Sequence, residues 1–236
     1  MTDPKPKSNG ASSDQNVPSA VVSRLSLYLR ELQRLLRDGQ ATISSSGLGR
    51  LLNFTDAQVR KDLAYFGHFG YPGVGYRCEE LVAQIRKILG TDRGWAVALI
   101  GIGNLGRALL GYKGFLRQGF RFVAAFDNEP KVIGSEIDGI QVYSLDALPE
   151  VAKENRIRLA VLAVPAASAQ AVVDQVVRAG IEGVLNFAPV TLNLPPVVSQ
   201  VGVDLAIELE RLSFAVMKSV GESQKEAEPE NRELEK

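Results

Sequence analysis

The sequence predicts an α/β chain in two parts: a small helical domain ending in a glycine-rich hairpin, then a doubly wound parallel sheet, with a helix to close it. Three observations predict it. Apolar residues recur at three and four from Val21 to Leu36, as on an amphipathic helix. Beyond the linker-like Gly90-Thr-Asp-Arg-Gly94, apolar runs alternate with helical stretches, the rhythm of a parallel sheet covered on both faces. Between the first of those runs and its helix stands Gly101-Ile-Gly-Asn-Leu-Gly106.

Residues 1–17 are polar with no apolar run, so they are expected to be a disordered lead and not a signal peptide. A helix follows from Val21 to Asp38, with Leu25, Tyr28, Leu29, Leu32, Leu35 and Leu36 on its apolar face and Gly39 placed to end it. "TISSSGLGRLLNFTDAQVRKDLAYFG" predicts two short helices. A serine of 44–46 caps the first, which carries Leu48, Leu51 and Leu52. Thr55 followed by Gln58 has capping-box spacing for the second, whose inner face is Val59, Leu63 and Phe66. "GHFGYPGVGY" packs four glycines, a proline and three aromatics into ten residues, which suits a tight two-stranded hairpin. With a helix from Glu79 to Leu89, residues 18–90 have the outline of a winged helix-turn-helix.

Lys plus Arg equals Asp plus Glu at 27 each, so net charge points to no partner. The local balance differs: Val21 to Arg77 holds eight Arg and Lys against four Asp and Glu. Gln58, Arg60 and Lys61 on the second short helix are residue types that bond base edges and phosphates from the major groove. The alternative is a solvated face on a small helical domain. His68, the single histidine, falls in the wing, where a backbone or DNA contact is expected and a metal site is not.

Residues 91–200 read as a Rossmann domain. "WAVALIGIG", "FRFVAAFD", "LAVLAVP" and "GVLNFAP" are its strands, with helices at Asn104–Leu116, Asp146–Asn155 and Ala166–Ala179. Gly101 permits the tight turn, Gly103 lets backbone approach a pyrophosphate, and Gly106 allows close helix–strand packing. The anion would rest on the helix N-terminus. Asp127 ends the second strand, 21 residues after Gly106, where a carboxylate accepts from the ribose hydroxyls and repels a 2′-phosphate. NAD(H) is expected over NADP(H), with coenzyme A the main rival. Residues 201–220 form an amphipathic helix, "DLAIELERLSFAVM", and 221–236 a charged tail.

Catalytic residues are not expected. No histidine follows residue 100, the tyrosines there are Tyr112 and Tyr143, and no Tyr-x-x-x-Lys pair or substrate domain accompanies the cradle. The alternative is an NAD-dependent oxidoreductase with an N-terminal accessory domain. One cysteine, Cys78, excludes an internal disulfide framework and fits a reducing cytoplasm. No apolar run is long enough to span a bilayer, so a cytoplasmic protein without metal or membrane partner is expected.

The stretches "SRLSLYLREL", "AQVRKDLAYFGHFGYPGVGY", "GIGNLGRALLGYKGF", "NFAPV" and "VDLAIELERLSFA" resemble the bacterial redox-sensing repressors of the Rex family, over about residues 18–218. The resemblance implies a homodimer that binds a palindromic DNA operator when NADH is scarce and leaves it when NADH accumulates over NAD⁺. It implies Arg60 and Lys61 on the recognition helix, with Tyr65 and the wing residues Gly73, Gly75 and Tyr76 nearby. Tyr112 would lie close to the nicotinamide, and Ala163, Val164 and Pro165 with Asn186, Phe187, Ala188 and Pro189 would line the cofactor cleft beside Gly101, Ile102, Gly103, Asn104, Leu105 and Gly106. The C-terminal helix would be domain-swapped onto the partner, and Arg30, Tyr112 and Asp204 would form a polar trio coupling cofactor to DNA.

Overall fold

The structure is a computed structural model that describes residues 17–226; the expected lead as far as residue 16 and the tail from residue 227 lie outside the described residues. Its contacts divide into two units, with the boundary between Arg93 and Gly94.

In the first unit, α1 (Ser19–Arg37) turns Val21, Leu25, Tyr28, Leu29, Leu32 and Leu35 inward. It stops before Gly39, whose φ of 79° is a left-handed conformation that glycine adopts without steric cost. After β1 (Thr42–Ile43), α2 (Ser45–Leu52) opens where the Ser44 hydroxyl accepts the Gly47 N–H at 3.0 Å. α3 (Asp56–Ala64) opens where the Thr55 hydroxyl accepts the Gln58 N–H at 3.1 Å. The reciprocal half of the capping box does not form. The Gln58 side chain runs down the helix instead, its Nε2 donating a charge-assisted bond to the Asp62 carboxylate at 2.6 Å.

The expected hairpin over 67–76 is a turn with a single bridge, Tyr71 opposite Gly75. Gly73 and Gly75 both take positive φ and reverse the chain at once, which leaves no length for a ladder. β2 (Tyr76–Arg77) pairs antiparallel with β1 instead, Ile43 opposite Tyr76. Gly75 sits so tightly there that a Cβ would lie 2.5 Å from the Ile43 carbonyl oxygen. α4 (Cys78–Ile88) follows and packs Leu81 and Ile85 with Leu25, Leu32, Leu48, Val59 and Leu63.

The second unit begins with β3 (Trp95–Ile100), α5 (Asn104–Gly111), α6 (Gly114–Arg117) and β4 (Phe120–Asp127). The single helix expected to Leu116 is thus two, broken where Tyr112 takes extended backbone angles. A hairpin, β5 (Glu136–Ile137) and β6 (Ile140–Ser144), follows, then a 3-10 turn and α7 (Leu148–Glu154). β7 (Leu159–Leu162), α8 (Ala166–Arg178), β8 (Gly183–Asn186), β9 (Ser199–Gly202) and α9 (Leu205–Glu226) complete it. β5, β6 and β9 were not expected, and α9 runs past residue 220 into the segment assigned to the tail.

The strands order as β5-β6-β4-β3-β7-β8-β9, all parallel but β5. One face buries Ile100, Phe126, Leu148, Leu162, Val173 and Val176 with α7 and α8. The other packs Val97, Leu99, Ala125 and Val161 with residues of α5. Coverage of that second face is incomplete: the chain from 187 to 198 forms no helix, and an apolar hollow of about 380 Å³ lies open over Phe115, Phe122, Leu159, Leu185 and Val201.

Candidate functional site

Going outward from β3, the chain first adds β4 on one side and later β7 on the other, so the strand order reverses between β3 and β7. At their carboxyl ends this leaves a crevice, the position where open α/β sheets bind ligands. The crevice has a volume of about 560 Å³ and is lined by Gly101, Gly103, Asn104, Leu105, Asp127, Ala163, Val164 and Pro165. Asn128, Leu145, Ser168 and Val172, which the motif reading missed, line it as well. Asn128 is adjacent to Asp127; the others lie on segments that carry no motif.

The glycines do different work. A Cβ on Gly101, whose φ is 96°, would meet the Ala163 carbonyl oxygen at 2.5 Å, so two loops close on each other there. A Cβ on Gly106 would fall 2.0 Å from the Gly101 carbonyl oxygen, which packs the start of α5 against the turn. At Gly103 nothing lies within 4 Å, and this exposed residue N-caps α5 without a side-chain cap. The first N–H groups of α5 therefore face the crevice unpaired by a cap, a ready seat for an anion. An open glycine over uncapped helix N–H groups fits the pyrophosphate of a dinucleotide. Gly101, Gly103, Asn104, Leu105 and Asp127 would hold it.

Asp127 is half-buried, with Oδ2 accepting the Ile102 N–H at 2.6 Å and Oδ1 accepting the Glu129 N–H at 2.9 Å. Ile102 and Gly106 are themselves buried, and they shape the cradle from beneath. Asn186, Ala188 and Pro189 line a neighbouring hollow of about 610 Å³ together with Asp204 and Arg211. The buried Asn186 side chain is spent on its own loop, accepting from Ala188 N and donating to the Ala188 and Val190 carbonyls. Phe187 packs into the sheet core. Tyr112 is 58% exposed and sets its ring edge-on to Phe115 at 5.1 Å. Asp204 caps α9, its Oδ1 accepting from Ala206 N at 2.9 Å and Ile207 N at 3.4 Å. Arg30 is exposed on α1 in the other unit.

In the first unit, α3 shows Ala57, Arg60, Lys61 and Ala64 to solvent, with Tyr65 and His68 exposed just beyond. Arg60 is held by Asp56 at 2.7 Å and by the Ser45 hydroxyl at 3.1 Å. Gly73 is exposed at the tip of the wing and Gly75 lies behind it. Two expected DNA contacts are placed otherwise. Tyr76 is a core residue, because pairing with Ile43 turns its ring inward. Gln58 is half-buried, with its amide bonded to Asp62. Asp62 itself is fully buried and was not singled out. Burial alone would push its carboxyl up, but bonds from Arg24, Tyr28 and Gln58 outweigh that and hold it below the usual carboxylate range.

Among the described residues, no group of three or more His, Cys, Asp or Glu could hold a metal ion, and no helix is long and apolar enough to cross a membrane. Residues 16–64 match the family described as putative DNA-binding protein N-terminus, and residues 92–190 match the family described as CoA binding domain. A redox-sensing transcriptional repressor Rex of Desulfitobacterium hafniense is 48% identical over 200 residues, covering 85% of this chain and 95% of its own. A crystal structure of RSP in complex with β-NAD⁺ and operator DNA is 34% identical with a TM-score of 0.82, covering 90% of this chain and 99% of its own. RSP in complex with β-NADH gives 33% identity and a TM-score of 0.80 over 89% of this chain and 98% of its own.

Proposed function

The chain belongs to the Rex family of redox-sensing transcriptional repressors, and from that membership we propose that it binds operator DNA and senses NADH against NAD⁺. The observation that carries the reading is the pairing, within one chain, of an uncapped glycine cradle at a sheet switch point with a helix-turn-helix unit that exposes Arg60 and Lys61. Its relatives are named repressors, so the chain is a regulator and not an oxidoreductase.

NADH and NAD⁺ differ at the nicotinamide by a charge and by ring planarity, which supplies the signal; no reaction on the ring is needed. Asp127 would hold the adenosine ribose and the start of α5 the pyrophosphate, with Tyr112 and the loop from Asn186 to Pro189 as the residues that would meet the nicotinamide. Two recognition helices about 34 Å apart, or a multiple of it, match successive major grooves of a palindrome, so the DNA-binding species is a homodimer. The α9 face supports this: Leu205, Leu209 and Leu212, spaced by four and three, are 59–66% exposed in the single chain, an apolar stripe that a partner subunit covers in a swapped arrangement.

Binding of NADH releases the operator, with Arg30, Tyr112 and Asp204 as the residues that couple cofactor to DNA. A hundredfold loss of DNA affinity corresponds to about 2.7 kcal/mol of coupling, within the usual allosteric range. By linkage, operator DNA weakens NADH binding by the same factor. The site of action is the cytoplasm. The test is fluorescence anisotropy of a labelled palindromic Rex-type operator, titrated with NADH and separately with NAD⁺. Release by NADH at much lower concentration than by NAD⁺ is expected. Tight binding indifferent to both would assign the crevice to another ligand, and no binding at any salt would overturn the reading.

A further inference from the structure

We propose that Asp62 is the positioning residue of the DNA-reading helix: its buried carboxylate fixes the roll of α3 about its own axis and thereby sets where Arg60 and Lys61 point. The inference rests on the reading of α3 as the element that meets DNA.

Among the described residues Asp62 is the one carboxylate fully removed from solvent. It receives four donors. Arg24 on α1 grips it in bidentate fashion, Nε to Oδ2 at 2.5 Å and Nη2 to Oδ1 at 2.8 Å. The Tyr28 hydroxyl, also on α1, donates to Oδ2 at 2.7 Å, and Gln58 Nε2 donates to Oδ1 at 2.6 Å. α3 has only nine residues, and its buried apolar anchors are Val59 and Leu63. These stand four apart, one above the other on a single line. A single apolar row holds a helix against its neighbour but resists rolling about that row poorly, because apolar contact has no direction.

Asp62 supplies the missing constraint. Its bonds are directional and charge-assisted, and they reach α1, the longest helix of the unit. At a side-chain radius of roughly 5–6 Å, a roll of about 20° would move the exposed groups by roughly 2 Å. That is enough to break a two-bond contact to a base edge, whose discriminating power depends on geometry. An aliphatic residue at 62 would fill the space without the desolvation cost of a buried ion pair. A charged pair retained there has a role that close packing alone does not fill.

The test separates orientation from stability. In the full-length protein, the double variant Arg24→Met with Asp62→Leu replaces the ion pair by apolar groups of similar length, and Tyr28→Phe removes one bond while keeping the ring in the core. Melting temperature is measured for each, along with affinity for the Rex-type operator and for a scrambled duplex of the same length. The double variant leaves the buried Tyr28 hydroxyl without its acceptor, so it is expected to melt several degrees below the parent and to remain folded at the assay temperature. Its operator-to-scrambled ratio should fall about tenfold or more, with scrambled-duplex affinity changed less than about threefold. Tyr28→Phe should lower the ratio by about two- to fivefold, and it serves as the deciding variant if the double variant does not fold. A folded variant that keeps the parent's ratio overturns the role of Asp62. A parent that shows no operator preference overturns the underlying reading of α3, and the two failures are told apart by the parent alone.

Discussion

The Asp127 carboxylate accepts the backbone N–H of Ile102 at 2.6 Å, so the residue proposed to meet the ribose also fastens the glycine turn. Its other oxygen orders the next turn through the Glu129 N–H at 2.9 Å. Asp127→Ala should therefore weaken NADH by about tenfold or more, since hydrogen bonds to charged groups are worth ~1.5–3 kcal/mol. Titration by intrinsic NADH fluorescence checks it, and an unchanged affinity would remove Asp127 from the site.

Two glycines of one loop should fail in different ways. Gly106→Ala forces a Cβ to within 2.0 Å of the Gly101 carbonyl oxygen, so the sheet domain should lose about 1–3 kcal/mol or more and melt several degrees lower. Gly103→Ala meets no protein atom within 4 Å and should keep the melting temperature while losing nucleotide. Calorimetry with and without NADH distinguishes the two.

The Asp62 cluster gives the helix-turn-helix unit a pH signature. Burial raises this carboxyl, but the bonds from Arg24, Tyr28 and Gln58 leave it net lowered in the folded state. Its stabilising contribution is thus fully present above the unfolded value of about 3.9 and disappears as pH falls through the lower folded value. Unfolding of this unit should be nearly independent of pH from 7 to about 5 and become progressively easier below about 4. Asp62→Ala should cost roughly 3 kcal/mol at neutral pH and flatten that acid limb. Urea melts across the pH range check both.

Arg60→Ala should weaken operator binding by about tenfold if the side chain reads a base edge. If it contacts phosphate only, the loss should be uniform across sequences and the salt slope should fall by about one. Asp56 at 2.7 Å orients this guanidinium, so Asp56→Ala should give a smaller loss in the same assay. Anisotropy over a salt series on operator and scrambled DNA decides between the two.

Ending the chain after Val203 removes α9 and the exposed side chains of Leu205, Leu209, Leu212 and Phe214. The truncated protein should sediment as a monomer and lose operator affinity by far more than its recognition helix alone explains. A truncated chain that remains dimeric would move the interface elsewhere.

What the sequence made legible follows from how local each feature is. The cradle from Gly101 to Gly106 and the acid at Asp127 obey backbone geometry written in a short stretch, and they line one crevice. The caps at Ser44 and Thr55 are equally local. Asp62 was hidden because its partners Arg24 and Tyr28 lie 38 and 34 residues away, and because a carboxylate beside Arg60 and Lys61 looks solvated. Tyr76 was misplaced for the same reason: its burial depends on pairing with Ile43, far back in the chain. The β5–β6 hairpin did carry a signal, Asp138-Gly139 with both φ values positive, which is a common two-residue turn between strands. β9 carried none, since its residues are exposed and its pairing with β8 is set by tertiary structure.

Cys78 opens α4 from within the core, where burial pushes its thiol above the usual range despite the helix start. A protonated, enclosed sulfur is a poor target for peroxide and for glutathione disulfide. It is the chain's single cysteine, so the chain has no second thiol with which to close an internal bridge. Cysteine oxidation is therefore not the route by which oxidative stress would mark this protein. A sensor of the proposed kind would register such stress as a change in the nicotinamide pool, by reversible binding, and its response would reset when the pool does.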